Sequence, residues 1–184
     1  MLRMILIGIA ALIGGLVLLI ATRSPTFHIE RSTVIGAPPE RAFAPVNDFH
    51  AWSEWSPWEK IDPNMKRTFA GAPAGAGATY AWTGDGNVGE GRMVILSSEP
   101  ASRIFIQLEF LKPFTATNTA TFTFVPKLSG TKVTWATDGP KNFFAKALYM
   151  VVDMDKMVGD RFQQGLENLK TIAEAPPAKA QAAN

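Results

Sequence analysis

The chain has 184 residues, of which 47% are hydrophobic and 18% charged, and its formal net charge is +2. So apolar a composition excludes a disordered chain, and the length suits one domain with one core. Lys and Arg are scattered singly, so no basic stripe is available for a row of phosphates and a nucleic-acid partner is not expected; the lack of cysteine removes disulfides, thiolate nucleophiles and zinc–thiolate centres.

Met4 to Ala21 is an unbroken run of Ile, Leu, Val, Ala, Gly and Met, bracketed by Arg3 and Arg23. Its length meets the minimum for a spanning helix, and its Ile, Leu and Val residues favour insertion by roughly 3 to 6 kcal/mol before glycine corrections. Residues 1–23 therefore read as a single-pass N-terminal membrane anchor, with the membrane contacted through residues 4–21. Two alternatives stand beside it. A cleaved secretory signal should end in small residues two apart, a pattern that Leu19 and Ala21 fit poorly, and a helix buried in a core would carry a polar face. Arg3 on one side and Arg23 and Arg31 on the other nearly cancel in the positive-inside bias. The likeness of a short apolar run after one arginine to an uncleaved export signal places the domain outside the cytoplasm.

Thr26 to Ile35 is rich in β-branched residues and stops at Gly36-Ala37-Pro38-Pro39, which reads as a first strand. Pro39 suits the first turn of a helix, continued by Ala42, Phe43 and Val46 at helical spacing. Asp48 is placed to cap a second short helix through Trp55, which Pro57 ends. The stretch Gly71 to Ala78 has the glycines of a phosphate loop but no following Gly-Lys-Ser/Thr, and it precedes a strand, so it is a plain loop.

Strands follow at Lys66–Phe69, Ala78–Thr83, Glu90–Ser98, Arg103–Leu111, Thr115–Val125 and Thr131–Thr137, separated by short turn-forming links, as in an antiparallel meander. Alternation puts Tyr80 with Trp82, Ile104 with Ile106, Leu108 and Phe110, and Val133 with Trp135 on one face, with Thr, Gln, Glu and Lys behind. The cover for the apolar face is a single long amphipathic helix over Lys141–Ala175, where Phe144, Leu148, Val151, Met154, Val158, Phe162, Leu166, Leu169 and Ile172 recur at three or four residues. Gly159 and Gly165 inside it imply close approach to the sheet. The domain is thus bounded at 24–175, and residues 176–184, with no apolar periodicity, form a disordered tail.

This order of elements, the crossing Ala37-Pro38-Pro39-Glu40-Arg41-Ala42-Phe43, and the aromatic segment Asp48-Phe49-His50-Ala51-Trp52-Ser53-Glu54-Trp55-Ser56-Pro57-Trp58 resemble the START/polyketide cyclase-like (SRPBCC) superfamily, in its polyketide cyclase/dehydrase-like branch. The resemblance implies an α+β helix-grip fold, a curved antiparallel sheet of about seven strands wrapped around the C-terminal helix. It also implies a cavity between helix and sheet for an apolar or aromatic ligand.

The candidate ligand-binding residues are Trp52, Trp55, Trp58, Tyr80, Trp82, Trp135, Met154 and Phe162. Trp52, Trp55 and Trp58 are either a wall or lid of the cavity or a hydrophobic plug; Tyr80, Trp82 and Trp135 divide between core and cavity. Met150, Met154 and Met157 offer either an adaptable binding surface or ordinary core packing. His50, which precedes Trp52, is placed to line the cavity mouth, and His28 is a solvated or membrane-proximal residue; no acid–base pair or triad is evident and no catalytic residue is named. Asp153 and Asp155 point apart on a helix, so no metal or other cofactor is expected, and Asp155 needs a partner such as Arg92 or a backbone donor. The function these features indicate is a membrane-anchored binder or carrier of a hydrophobic small molecule, lipid-like or aromatic, without catalysis. The alternatives are a structural or protein-interaction module with a filled core, and a cyclase-like enzyme.

Overall fold

The computed structural model describes residues 1–176; of the tail expected over 176–184, residues 177–184 lie outside them. Helix α1, Leu2–Ala21, has 20 residues and Ile20 as its one buried side chain. At about 1.5 Å per residue it is roughly 30 Å long, and it is long and apolar enough to cross a membrane.

Seven strands follow: β1 Thr26–Ile35, β2 Lys66–Gly71, β3 Ala78–Thr83, β4 Glu90–Glu99, β5 Arg103–Lys112, β6 Ala116–Lys127 and β7 Gly130–Pro140. They form one antiparallel sheet in the order β1-β7-β6-β5-β4-β3-β2, so every neighbour is a hairpin partner except β1, which returns to pair with β7. Short links enforce this order, since each leaves the chain no route except back along the strand it has just left. The β2–β3 turn needs glycine: Gly71 has φ +76°, and a Cβ there would overlap the Gly77 carbonyl. Register shifts between β4 and β5 near Gly91 and Ile95 add bends that curve the sheet.

Pairing aligns the alternating apolar residues into one concave face. Trp135 lies between Phe122 on β6 and Arg31 on β1, while Ile106 neighbours Ala120, which neighbours Thr137. Tyr80, Trp82, Ile104, Ile106, Val133 and Trp135 are buried as the alternation requires. Leu108 and Phe110, further along β5, are only half-buried, because the cover stops short of that end of the sheet.

Between β1 and β2 run helix α2, Pro39–Asn47, a 3-10 turn at Phe49–Ala51, one α-helical turn α3, Trp52–Trp55, and a second 3-10 turn at Pro57–Lys60. Asp48 does cap, accepting from the His50 amide at 2.8 Å, but the expected short helix is divided between the first 3-10 turn and α3. Pro57 opens the second turn rather than only ending the segment.

The expected single C-terminal helix is two helices: α4, Phe143–Val151, and α5, Met154–Glu174. Val152 leaves helical geometry at φ −115° and ψ 126°, and the Asp153 carboxylate accepts from the Lys156 amide at 2.9 Å. That satisfies one of the free amides of a new helix start, so an N-cap replaces continuation. Only α5 grips the sheet. Its Phe162, Leu166, Leu169 and Ala173 are buried, and each large side chain contributes about 1.5–3 kcal/mol by leaving water. Both glycines allow close approach: a Cβ on Gly165 would fall 2.8 Å from the Trp135 ring, and one on Gly159 would overlap the Arg31 guanidinium. Arg31, not Arg92, is the partner of Asp155, at 2.8 Å and again through the Asp155 carbonyl at 2.9 Å. Arg92 instead pairs with Glu109 across β4 and β5. At its far end α5 is held by Glu174, which accepts from the Gly36 amide at 2.5 Å, and by Arg41 on the Ala175 carbonyl.

Helix α4 has no buried residue. Phe144, Leu148 and Val151, expected in the core, are 60%, 37% and 83% exposed. The break at Val152–Asp153 uncouples their stripe from that of α5, so the same periodicity serves two different faces.

Candidate functional site

Seven of the eight candidate binding residues join one chain of touching aromatic rings. Trp135 stacks on Phe162 at 4.2 Å and 10°, Trp58 meets both at 5.5 and 5.8 Å, and Trp55 meets Trp135 at 5.5 Å. Trp52 lies 4.9 Å from Trp55 and, through Phe49, reaches Tyr80, which stacks with Trp82 at 6.1 Å. The Trp52–Trp58 segment is pinned: the Trp52 and Trp55 indoles donate to the carbonyls of Val46 and Pro45, and Asn168 of α5 donates to the Trp55 carbonyl at 2.9 Å. It plugs this end of the domain, as edge-to-face rings at these separations are close-packed.

Two polar atoms on the concave face have no partner among the described residues, the Trp135 indole nitrogen and the Asn118 side-chain oxygen. Each such buried group costs about 1–3 kcal/mol relative to a satisfied one.

Behind Tyr80 lies a buried ionic network that the sequence did not signal, because its members are 8 and 21 residues apart. Glu59, on the second 3-10 turn, accepts from the Arg67 guanidinium at 2.5 Å and from the Tyr80 hydroxyl at 2.6 Å. Burial pushes the Tyr80 phenol well above the ordinary tyrosine range, and donation to Glu59 adds to the shift. Burial likewise raises Tyr149. These are the only two tyrosines. Both ionise above pH ~10, where an unfolded tyrosine does so, so their contribution is intact below that pH and is lost as the pH rises beyond it. Tyrosinate absorbance of the folded chain should therefore rise at higher pH than that of the unfolded chain, and alkaline unfolding should release both phenols. Ordinary titration of both near pH 10 without unfolding would contradict this placement.

Met154 stands apart from the ring chain. It is half-buried at the start of α5 and lines a cleft of about 590 Å³ with Phe27 and Ile29 of β1 and Tyr149, Met150, Val151 and Val152 around the α4–α5 elbow. Lys141 is 4.8 Å above the Tyr149 ring, and Phe27 is 5.7 Å from it. A second cleft of about 700 Å³ lies beside the first, sharing Thr26, Phe27 and His28 and adding Thr117, Asn118, Thr119 and Asp138. Of the three methionines singled out, Met150 and Met154 line the first cleft and Met157 is exposed. The missed signals are Asp153 as a cap, which would have marked the elbow, and Phe27, one position beyond the strand start.

The remaining candidates are at the surface. His50 is exposed, stacks on Phe69 at 4.1 Å and pairs with Asp48 at 2.8 Å, away from either cleft. His28 pairs with Asp138 at 2.7 Å, and that hydrogen bond holds its ring above the usual histidine range. Asp153 and Asp155 are engaged as helix cap and ion pair, and no group of three metal-ligating side chains occurs among the described residues.

A curved seven-stranded antiparallel sheet gripping a C-terminal helix, with clefts at the open end, defines the helix-grip class. The chain belongs to the polyketide cyclase / dehydrase and lipid transport family, whose model matches residues 26–174. The fold is similar to that of a Chromobacterium violaceum protein at 18% identity and TM-score 0.58, covering 83% of this chain and 99% of that one. A Mesorhizobium loti protein matches at 22% identity and TM-score 0.55, covering 80% and 95%. The di-domain ARO/CYC BexL matches at 15% identity and TM-score 0.62, covering 88% of this chain and 54% of its own length. No curated protein matches the sequence.

Proposed function

We propose that this chain is a membrane-anchored binder or carrier of a hydrophobic small molecule, lipid-like or aromatic, and that the molecule is held at the α4–α5 elbow. The observation that carries this reading is the cleft of about 590 Å³, in which Phe27, Ile29, Tyr149, Met150, Val152 and Met154 make an apolar surface beside the polar Thr26, His28, Lys141, Asp153 and Asp155. Its volume is in the range of about 300–1,000 Å³ typical of small-molecule sites. The family's description, which names both cyclase/dehydrase and lipid transport, supports an apolar ligand. His28 and Lys141, which share the lining of this cleft, favour a molecule that carries a polar group as well.

Residues 24–175 form the binding domain, and α1 holds it to a membrane as a single-pass anchor with the domain outside the cytoplasm. Its length matches a hydrocarbon core of about 30 Å. Binding without turnover is favoured by the buried network, in which the Tyr80 hydroxyl and Glu59 carboxylate are committed to each other and to Arg67. Of the eight residues named from the sequence, Met154 is the one assigned to direct ligand contact; the seven aromatics line neither cleft.

The test uses the full-length chain in detergent with a diazirine-bearing fatty acid or isoprenoid, irradiated and mapped by peptide mass spectrometry. Crosslinks are expected on the peptides containing Phe27 and Tyr149–Met154, displaced by unlabelled competitor and reduced several-fold by Met150→Trp, which fills the cleft. Crosslinks confined to α1 would instead favour a structural or interaction module, a reading supported by the aromatic rings that occupy the interior.

A further inference from the structure

Helix α4 presents Phe144, Leu148 and Val151, spaced i, i+4 and i+7, on one exposed face. A soluble domain gains nothing from an apolar stripe in water, and such stripes mark contact surfaces. Phe143 is 50% exposed beside it, and Phe114, in the β5–β6 turn, is 69% exposed and rests 5.7 Å from the Phe144 ring, so the patch spans two elements.

What covers the patch follows from where it sits. The four residues between Ala21 and Thr26 can span at most about 18 Å, so the start of β1 and everything beside it stays close to the end of α1. Helix α4 is beside it: Lys146 donates to the Ala21 carbonyl at 3.1 Å, one of the carbonyls left free at the end of α1. The Lys141 amide donates to the Pro25 carbonyl at 2.6 Å. The β5–β6 turn and the end of β7 lie at this same end of the sheet, whereas exposed Val125 and Leu128 lie at the opposite end. A helix with bulky apolar residues on one side and lysines at its flank, joined to the end of a membrane-length helix, has the composition of an interfacial helix whose lysine stems lie along apolar surface with their charges towards water.

We infer that α4 and the β5–β6 turn are seated in the headgroup–acyl boundary of the bilayer that α1 spans, so that the elbow cleft opens towards the lipid and takes its ligand from the membrane. This rests on the reading of α1 as an anchor and of the elbow as the binding site. It makes the ligand a membrane lipid or a molecule dissolved among lipids, and the break at Val152–Asp153 becomes the device that turns one part of the apolar periodicity to the bilayer and the rest to the sheet.

The chain has no cysteine, so single thiols can be placed at will. Phe144→Cys, Phe114→Cys, Leu128→Cys and Leu12→Cys in the full-length chain, labelled with an environment-sensitive fluorophore and reconstituted into phosphatidylcholine–phosphatidylglycerol vesicles, report depth through quenching by lipids with nitroxides at set positions. Blue-shifted emission with shallow quenching at 144 and 114, deep quenching at 12 and aqueous emission at 128 are expected. Deep quenching at 12 with aqueous emission at 144 and 114 overturns the docking and leaves the anchor standing. Aqueous emission at 12 removes the anchor and the docking with it. Labels at 144 and 114 shielded from water but unquenched by any lipid would mean that a protein, not the bilayer, covers the patch, and would also overturn the inference. Docked labels together with no crosslink in the cleft would overturn the membrane supply of a ligand.

Discussion

Leu166→Asp is expected to abolish cooperative unfolding of the domain in the full-length chain. Leu166 is fully buried where α5 meets the sheet, in the same stripe as Phe162 and Leu169. The substitution removes about 2–5 kcal/mol of packing and adds a buried carboxylate with no partner, at several kcal/mol more. Domains of this size have about 5–15 kcal/mol in total. Near-ultraviolet circular dichroism and tryptophan emission should lose their folded signature, because the indole of Trp135 is packed against α5 at Gly165 and Phe162. Phe162→Asp should behave alike, while Leu128→Asp, at a fully exposed position, should change nothing. A wild-type melt for Leu166→Asp would show that α5 does not cover the sheet.

Arg67→Met is expected to cost about 2–4 kcal/mol, somewhat below the range for breaking a fully buried pair because water reaches part of the guanidinium. The side chain of Glu59 is 5% exposed and that of Arg67 27%. Without the arginine, a carboxylate remains under the 3-10 turn with Tyr80 as its one side-chain donor. The second change Glu59→Gln should restore much of the loss, since a neutral amide oxygen still accepts from the phenol and carries no charge. Chemical denaturation of the two variants and of Glu59→Gln alone closes the cycle. Equal destabilisation in the single and double variants would mean that Arg67 acts through packing rather than by compensating Glu59.

Much of this architecture was legible residue by residue. The boundaries of β1 and β3 were read as they stand, and the others to within a few positions, because β-branched alternation and the intervening Gly and Pro residues are local signals. The concave face was legible for the same reason: alternation in a strand admits only two orientations, and pairing puts Trp135, Phe122 and Ile104 in line. The two helical glycines also kept their expected meaning.

The C-terminal helix shows where such reading stops. Phe144, Leu148, Val151 and Met154 continue the spacing of Phe162 and Leu166 without interruption, and a pattern of spacing carries no information about which surface it meets. The cap at Asp153 depends on one carboxylate accepting from an amide three residues on, a weak signal in sequence and a decisive one in the structure. The partner of Asp155 was equally hidden, since Arg31 reaches it from 124 residues away through the pairing of β1 with β7 and the packing of α5 on both.

The sequence by itself therefore determined the family, the strands, their buried faces and an N-terminal helix of membrane length, all of which rest on periodicity and composition within a few turns or strands. Only the tertiary structure decided that seven candidate aromatics pack against one another, that Met154 belongs to a cleft at the elbow, and that the apolar face of α4 is left uncovered beside the end of α1. Each of these depends on distances between distant segments, and packing in three dimensions sets those distances.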